Sequence, residues 1–222
     1  MSTPNWDRLW RSAGIQAVGL FILAFFLHGS PPGVGASPDT LASFYDGSRI
    51  RILIAVFLSG MAVLNLLWFA AAIRGALRDA GQDGWGAAVT ASSAALGALL
   101  FLLLAVCSAL AYRIAVPGSP TFAVGLNDFA WACVVLTSFP RAMFIMSGSF
   151  GLWRAGMISN ALFTACVAAV VLALLGGSTW ATGGAWAPDG AYSRFVSPLI
   201  LLLWVVVVSR VLLTRPATRS EW

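Results

Sequence analysis

Six long apolar runs, separated by short polar segments rich in glycine, proline and arginine, divide the chain. Each run has roughly 20 residues or more, enough for an α-helix to cross a bilayer core of about 30 Å. The pattern therefore predicts an all-α fold: one polytopic transmembrane bundle of six helices covering residues 1–222. The predicted helices span about 10–28, 50–74, 87–112, 127–150, 157–176 and 195–214.

The segment between the first two predicted helices contains a helix of its own in this interpretation. Ser37 is a suitable N-cap and Pro38 suits the first helical position. Leu41 and Tyr45 follow at the spacing of one helical face. We therefore predict a short amphipathic helix at 38–46 that lies on the membrane surface. A lid over a cavity is the alternative, because long ordered loops are often functional.

Composition supports a membrane protein. Hydrophobic residues make up 59% of the 222 residues and charged residues 9%, whereas a soluble domain carries about 25% charged residues. The net charge is +5 and every basic residue is arginine. The arginines lie at the ends of apolar runs rather than on one face, so no nucleic-acid partner is predicted. The absence of lysine from the sequence excludes a Schiff base to retinal or pyridoxal phosphate.

The arginines also predict the orientation of the bundle. Eight of the thirteen arginines fall at one set of run ends and four at the other, and the richer side is expected to face the cytoplasm. We therefore expect a multi-pass protein of the cell inner (plasma) membrane with both termini in the cytoplasm. The eight are Arg8, Arg11, Arg74, Arg78, Arg154, Arg210, Arg215 and Arg219, and the four are Arg49, Arg51, Arg113 and Arg194.

Residues for metal binding and catalysis are scarce. The only histidine is His28, and the three cysteines lie in separate runs without CxxC spacing, so no metal site is predicted. No Ser–His–Asp set or carboxylate pair can be assembled inside the runs, and no nucleotide-binding motif is present. We predict no cofactor and no catalytic residue, although an enzyme stays open as a third interpretation.

The most unusual stretch is Thr137–Met143, which places Pro140 and Arg141 inside an apolar run. A proline removes one helical hydrogen bond and tends to kink the helix. An arginine in hydrocarbon costs roughly 2.5–3.5 kcal/mol on insertion scales. Three accounts of Arg141 stay open: snorkelling to the cytoplasmic surface, pairing with internal polar groups, and binding of an anionic ligand or lipid head group.

Counting residues from the run ends places several polar side chains at similar depth in the inner half of the membrane. They form a predicted polar pocket centred on Arg141. The candidate ligand-binding residues are Arg141, Asn65, Asn160, Ser138 and Gln16. At the outer end of the same run, Asn127 or Asp128 is a plausible helix N-cap.

The fifth predicted helix carries a stripe of small residues at every fourth position, which allows two helices to approach closely in lipid. We expect this helix to be central or to form an interface with a second copy or another membrane protein. The stripe consists of Ala161, Ala165, Ala169 and Ala173.

Several short motifs spread over most of the chain support a family resemblance. They are Gly29-Ser30-Pro31-Pro32-Gly33, Phe44-Tyr45, Arg49, Leu67-Trp68-Phe69, Arg74, Arg78, Leu201-Leu202-Leu203-Trp204 and Arg215-Pro216. On these motifs the chain resembles a set of multi-pass membrane proteins of unknown function from GC-rich actinobacteria. The resemblance implies the membrane location but no activity.

Two functions are therefore expected from the sequence. The first is a bundle that binds or transports a small anionic or amphiphilic molecule, including a lipid, at a polar inner pocket around Arg141. The alternative is a structural or accessory subunit of a membrane complex that associates through the small-residue stripe.

Overall fold

The computed structural model describes residues 4–113 and 120–214, with side chains at 12–112 and 122–214. The predicted polar tail 215–222 and part of the predicted loop 113–126 lie outside these ranges. Over the described residues the chain is helical with no strand, which confirms the all-α prediction. The helices are α1 (Pro4–His28), α2 (Pro38–Asp79), α3 (Asp83–Arg113), α4 (Pro120–Leu136), α5 (Ser138–Arg154), α6 (Asn160–Leu175) and α7 (Ser197–Leu213), with a 3₁₀ turn at Gly176–Ser178 and a π-helical turn at Tyr192–Val196.

Five helical spans are long and apolar enough to cross a membrane, and α1 adds a shorter apolar stretch, Ser12–His28. α4 and α5 together form one of the five, Phe122–Arg154. The protein is therefore built as a membrane-type helical bundle. The count of six crossings and the direction of the termini stay predictions.

The predicted separate helix at 38–46 is wrong, because residues 38–79 form one continuous helix of 42 residues. Its start is as predicted: the Ser37 side chain accepts a hydrogen bond from the Thr40 amide at 3.3 Å, and Pro38 occupies the first turn. Leu41 and Tyr45 are buried in a cluster with residues of α3 and α4. This packing keeps the helix intact through Gly47, where sequence alone suggested a break.

The fourth predicted helix is also longer than expected, and it is interrupted. It begins at Pro120 rather than at 127 and breaks at Thr137 between α4 and α5. Pro140 cannot donate to the Leu136 carbonyl, and the interruption lies just before it at Thr137, whose backbone keeps helical dihedral angles (φ −60°, ψ −18°). The predicted kink stays a prediction. The helix recovers at once, because the Arg141 amide donates to the Thr137 carbonyl at 3.1 Å.

The two ends of the bundle differ in their connections. We call the end that carries the turns at 80–82 and 155–159 the turn end, and the end that carries the segments 29–37 and 176–196 the loop end. The larger core cluster centres on Phe69, Phe144 and Trp204, whose rings meet edge to face. It joins α2, α5 and α7 between these two ends.

At the loop end, the segment 29–36 is fixed by side chains from three other parts of the chain. Asn127 and Asp128 lie inside α4 and hold this segment, so neither is the helix N-cap that the sequence suggested. Three side chains donate hydrogen bonds to carbonyl groups of the segment: Asn127 to Gly33 (2.9 Å), Trp131 to Pro32 (2.9 Å) and Arg194 to Pro31 (3.1 Å). Two carboxylates accept hydrogen bonds from its amides: Asp128 from Gly35 (2.9 Å) and Asp189 from Val34 (3.3 Å).

Candidate functional site

Arg141 lies in the first turn of α5, directly after Pro140, and only 6% of its surface is exposed. Helical side chains tilt toward the N-terminus of their helix, so this one is directed toward the loop end. It reaches Ser197 at the start of α7. Snorkelling to the opposite, turn-end surface is therefore excluded by the structure.

The guanidinium is held by two hydroxyl groups. Nη1 donates to Ser197 Oγ, and Nη2 donates to Thr137 Oγ1 at 2.8 Å. The Thr137 hydroxyl in turn donates to the Val134 carbonyl at 2.6 Å, beside the helix break. Nε is buried and has no hydrogen-bond partner. One N–H group of a buried charged side chain is thus left unsatisfied, an arrangement that costs free energy.

Negative charge is missing around this group. An arginine side chain keeps its positive charge at neutral pH, and among the described residues no carboxylate contacts it. Of the acidic residues at the loop end, Asp128 and Asp189 accept hydrogen bonds from amides of the segment 29–36, and Asp39 and Asp46 are exposed on α2. Arg141 is therefore a buried cation whose partners within the described part of the chain are neutral.

Gly176 brings the end of α6 against the same site. A Cβ atom at this glycine would lie 2.6 Å from Ser138 Oγ and 2.8 Å from Ser197 Oγ. Ser138 and Ser197 are both buried, with 1% and 2% of their surface exposed. Two hydroxyl groups and the arginine thus meet where α5, α6 and α7 approach one another.

Substitution Gly176→Ala is expected to lower the free energy of unfolding by about 1–3 kcal/mol, because the added methyl group overpacks two buried side chains. Gly60→Ala is the control, since nothing lies within 4 Å of a Cβ at that position in α2. SDS-titrated unfolding of the purified protein in micelles measures both. Equal effects of the two substitutions would show that α6 does not pack as tightly on this site as the structure has it.

Further buried hydroxyl groups continue from the site toward the loop end. Ser193 precedes Ser197 by one helical turn and donates to Thr179 Oγ1 at 2.9 Å. Thr179 donates to the Gly176 carbonyl at 2.8 Å. Ser193 and Thr179 are 5% and 0% exposed. Ser193, Thr179 and the Gly176 carbonyl therefore form a second buried hydrogen-bonded set, on the loop-end side of the one that holds Arg141.

Of the candidate residues from the sequence, the structure brings together only Arg141 and Ser138. Asn65 donates to the Met61 carbonyl of its own helix at 2.9 Å, and Gln16 donates to Ser12 at 2.9 Å. Asn160 accepts from the Trp153 indole at 2.8 Å, at the end of α6 opposite Gly176. None of these three contacts Arg141.

The structure therefore does not gather Asn65, Asn160 and Gln16 into one pocket with Arg141, whereas the depth of these side chains in a membrane stays a prediction. The predicted depth of Arg141 depends on a helix start at 127, whereas α4 begins at Pro120. The side chain of Arg141 also reaches toward the loop end. The guanidinium consequently lies level with the first turn of α7, away from Asn160 at the turn end.

Thr137, Ser197 and Gly176 were not predicted as site residues. Thr137 lies four residues before Arg141, and this helical spacing could have identified it. Ser197 and Gly176 come from the ends of other runs, and only the packing of α6 and α7 against α5 brings them to the site.

Among the described residues, no group of three or more histidine, cysteine, aspartate or glutamate side chains is arranged to hold a metal ion. No family model, curated protein or solved structure matches the chain. The resemblance to the actinobacterial membrane proteins stays a prediction.

Proposed function

We propose that this protein is a multi-pass inner-membrane bundle that binds a small anion at Arg141, reached from the loop end. We propose further that the turn end faces the cytoplasm, as the arginine distribution predicts. The observation that carries the proposal is the buried guanidinium without an acidic neighbour among the described residues. Charged side chains inside membrane segments mark ligand and ion pathways by default.

The energetics favour a negatively charged occupant. A lone cation in a medium of low dielectric constant is poorly stabilised by neutral hydroxyl groups. Nε still has a hydrogen to donate, and hydrogen bonds between a guanidinium and an anion are about twice as strong as those between neutral groups. An anion beside Arg141 would therefore gain the charge pairing that the described residues do not supply.

The hydrogen-bond donors around Arg141 indicate the chemical class of the anion. The site offers one positive charge and a few hydroxyl groups, and no metal ligand set is described there. Such a site suits a singly charged anion such as chloride, a short carboxylate or monobasic phosphate. Access from the loop end is part of the proposal, because the guanidinium is directed toward that end and the hydroxyl groups of Ser193 and Thr179 lie on that side of it.

Arg141→Gln is expected to abolish binding of such an anion, because glutamine keeps a polar side chain but loses the charge. The wild-type protein, gently solubilised, is first examined by native mass spectrometry for a bound anionic mass. Thermal unfolding is then measured with chloride, acetate and phosphate, each against a non-binding counter-salt. A ligand at a hundred times its Kd stabilises by about 2.7 kcal/mol, which raises the Tm of wild type only.

Arg49→Gln is the matched control: Arg49 is an exposed loop-end residue that stacks on Tyr112 at 5.1 Å. This variant has the same change in charge and should retain the anion-dependent shift. The proposal fails if neither a bound mass nor an anion-dependent shift is found in wild type. It also fails if Arg49→Gln loses the shift together with Arg141→Gln.

The alternative is an accessory subunit that associates through α6. α6 is the most exposed of the five long spans, so the prediction that it is central is wrong. The stripe is covered at one end and open at the other: Ala173 is buried, Ala169 is half-buried, and Ala161 and Ala165 are exposed. A second copy or a co-purifying membrane protein in the same native mass spectra would favour this function.

A further inference from the structure

A cleft of about 490 Å³ lies between α2 and α3 near the turn end, away from Arg141. Small residues line much of it, so the two helices leave a groove that is open to the surroundings of the bundle. Two arginines, Arg74 and Arg78, line its end. The remaining lining residues are Leu67, Ala70, Ala71, Gly75, Thr90, Ser93 and Ala94.

The lining changes from charged to apolar along α2. Arg78, Arg74, Ala71 and Leu67 recur every three or four residues and so share one face of the helix. At 1.5 Å per residue, the two arginines at the mouth lie roughly 10–17 Å along the helix from Leu67 at the apolar end. The cleft therefore offers positive charge near the membrane surface and an apolar groove deeper in the bilayer.

The arginines are the groups in this cleft that are free to bind a ligand. The Thr90 hydroxyl donates to the Gly86 carbonyl at 3.1 Å, and the Ser93 hydroxyl donates to the Thr90 carbonyl at 2.9 Å. The lining holds no acidic side chain. Asp79 and Asp83, which flank the turn, are exposed and do not line the cleft. Two positive charges thus face one groove without an acid in its wall.

We infer that this cleft binds one anionic phospholipid, with the phosphate at Arg74 and Arg78 and an acyl chain along Leu67, Ala71 and Ala94. Guanidinium groups bind phosphate oxygens strongly, and basic pockets between membrane helices are known to hold anionic head groups. Small residues at the floor let the chain lie close to both helices. The proposed occupant is the lipid and not free phosphate, because the charged mouth continues into an apolar groove.

The test is native mass spectrometry of the full-length protein in detergent, titrated with phosphatidylglycerol or with phosphatidylcholine. We expect one high-affinity phosphatidylglycerol and no comparable phosphatidylcholine on the wild type. Arg74→Gln with Arg78→Gln is expected to weaken this binding by an order of magnitude or more, since each surface arginine contributes roughly fivefold. Arg154→Gln with Arg210→Gln is the control: it removes the same charge from exposed residues that do not line the cleft.

A second variant keeps both arginines and fills the groove. Gly75 lines the cleft and a Cβ added there would meet nothing within 4 Å, so Gly75→Leu should fold and should also remove the high-affinity lipid. If the two double variants lose phosphatidylglycerol binding equally, the proposal is overturned, and the lipid binds through the general surface charge of the protein. Unchanged binding in Gly75→Leu would overturn it as well. Tight binding of inorganic phosphate by the wild type, in competition with the lipid, would show an ion site instead.

Discussion

Arg141→Met is expected to raise the free energy of unfolding of the anion-free protein by about 1–3 kcal/mol. An arginine in the bilayer core costs roughly 2.5–3.5 kcal/mol on insertion scales, and replacing buried ionic groups by apolar ones is often neutral or stabilising by about 1–4 kcal/mol. The loss of two hydrogen bonds, to Thr137 and Ser197, offsets part of this gain. The same substitution should remove the anion-dependent rise in Tm.

Unfolding in micelles titrated with SDS, followed by circular dichroism in the absence of binding anions, measures this change. Arg49→Met is the control, and its lost stacking on Tyr112 should lower stability by about 0.5–1 kcal/mol. If the role of Arg141 is instead to stabilise the fold, Arg141→Met lowers the free energy of unfolding. If Arg141→Met loses about 3–5 kcal/mol, as expected when a buried pair is broken, the guanidinium is needed to hold the helix break and the anion proposal is wrong.

The existence of each long helix could be predicted from the sequence because each apolar run is long and its ends are polar, and the bounds of α3, α6 and α7 agree with the predicted ones to within about four residues. Errors arose where tertiary contacts extend or join helices. α2 runs through Gly47 because Leu41 and Tyr45 are buried against α3 and α4. α4 is helical from Pro120, and Ala123 in its first turn is buried in the same cluster as Leu41 and Tyr45. Periodicity within one run carries no information about such contacts.

The candidate site was predictable only in part for a similar reason. Arg141 stands out because charge is rare in an apolar run, and Ser138 follows from its place on the same helix. Only their depth in the predicted helices connects Asn65, Asn160 and Gln16 with Arg141. Depth from run boundaries gives neither the face of a helix nor its neighbours, whereas Gly176 and Ser197 are at the site because α6 and α7 pack there.

Trp204→Ala is expected to lower the free energy of unfolding by about 3–5 kcal/mol, the range for a large aromatic truncated in a core. Trp204 is 4% exposed and its ring lies 5.1 Å from Phe144 and 6.1 Å from Phe69. Its indole N–H donates to Ser149 at 2.9 Å. The substitution therefore opens a cavity between α2, α5 and α7 and also leaves the Ser149 hydroxyl without this donor.

Trp180→Ala serves as the matched control, because Trp180 is 77% exposed in the loop-end segment and should change stability by less than about 0.5 kcal/mol. Circular dichroism in the SDS titration is the appropriate probe, since both variants lose a fluorophore. Gly148 provides an independent check: a Cβ there would lie 2.7 Å from the Trp204 ring, so Gly148→Ala should be destabilising in wild type and nearly neutral in Trp204→Ala. Additive effects of the two substitutions would mean that α5 and α7 do not meet through this ring.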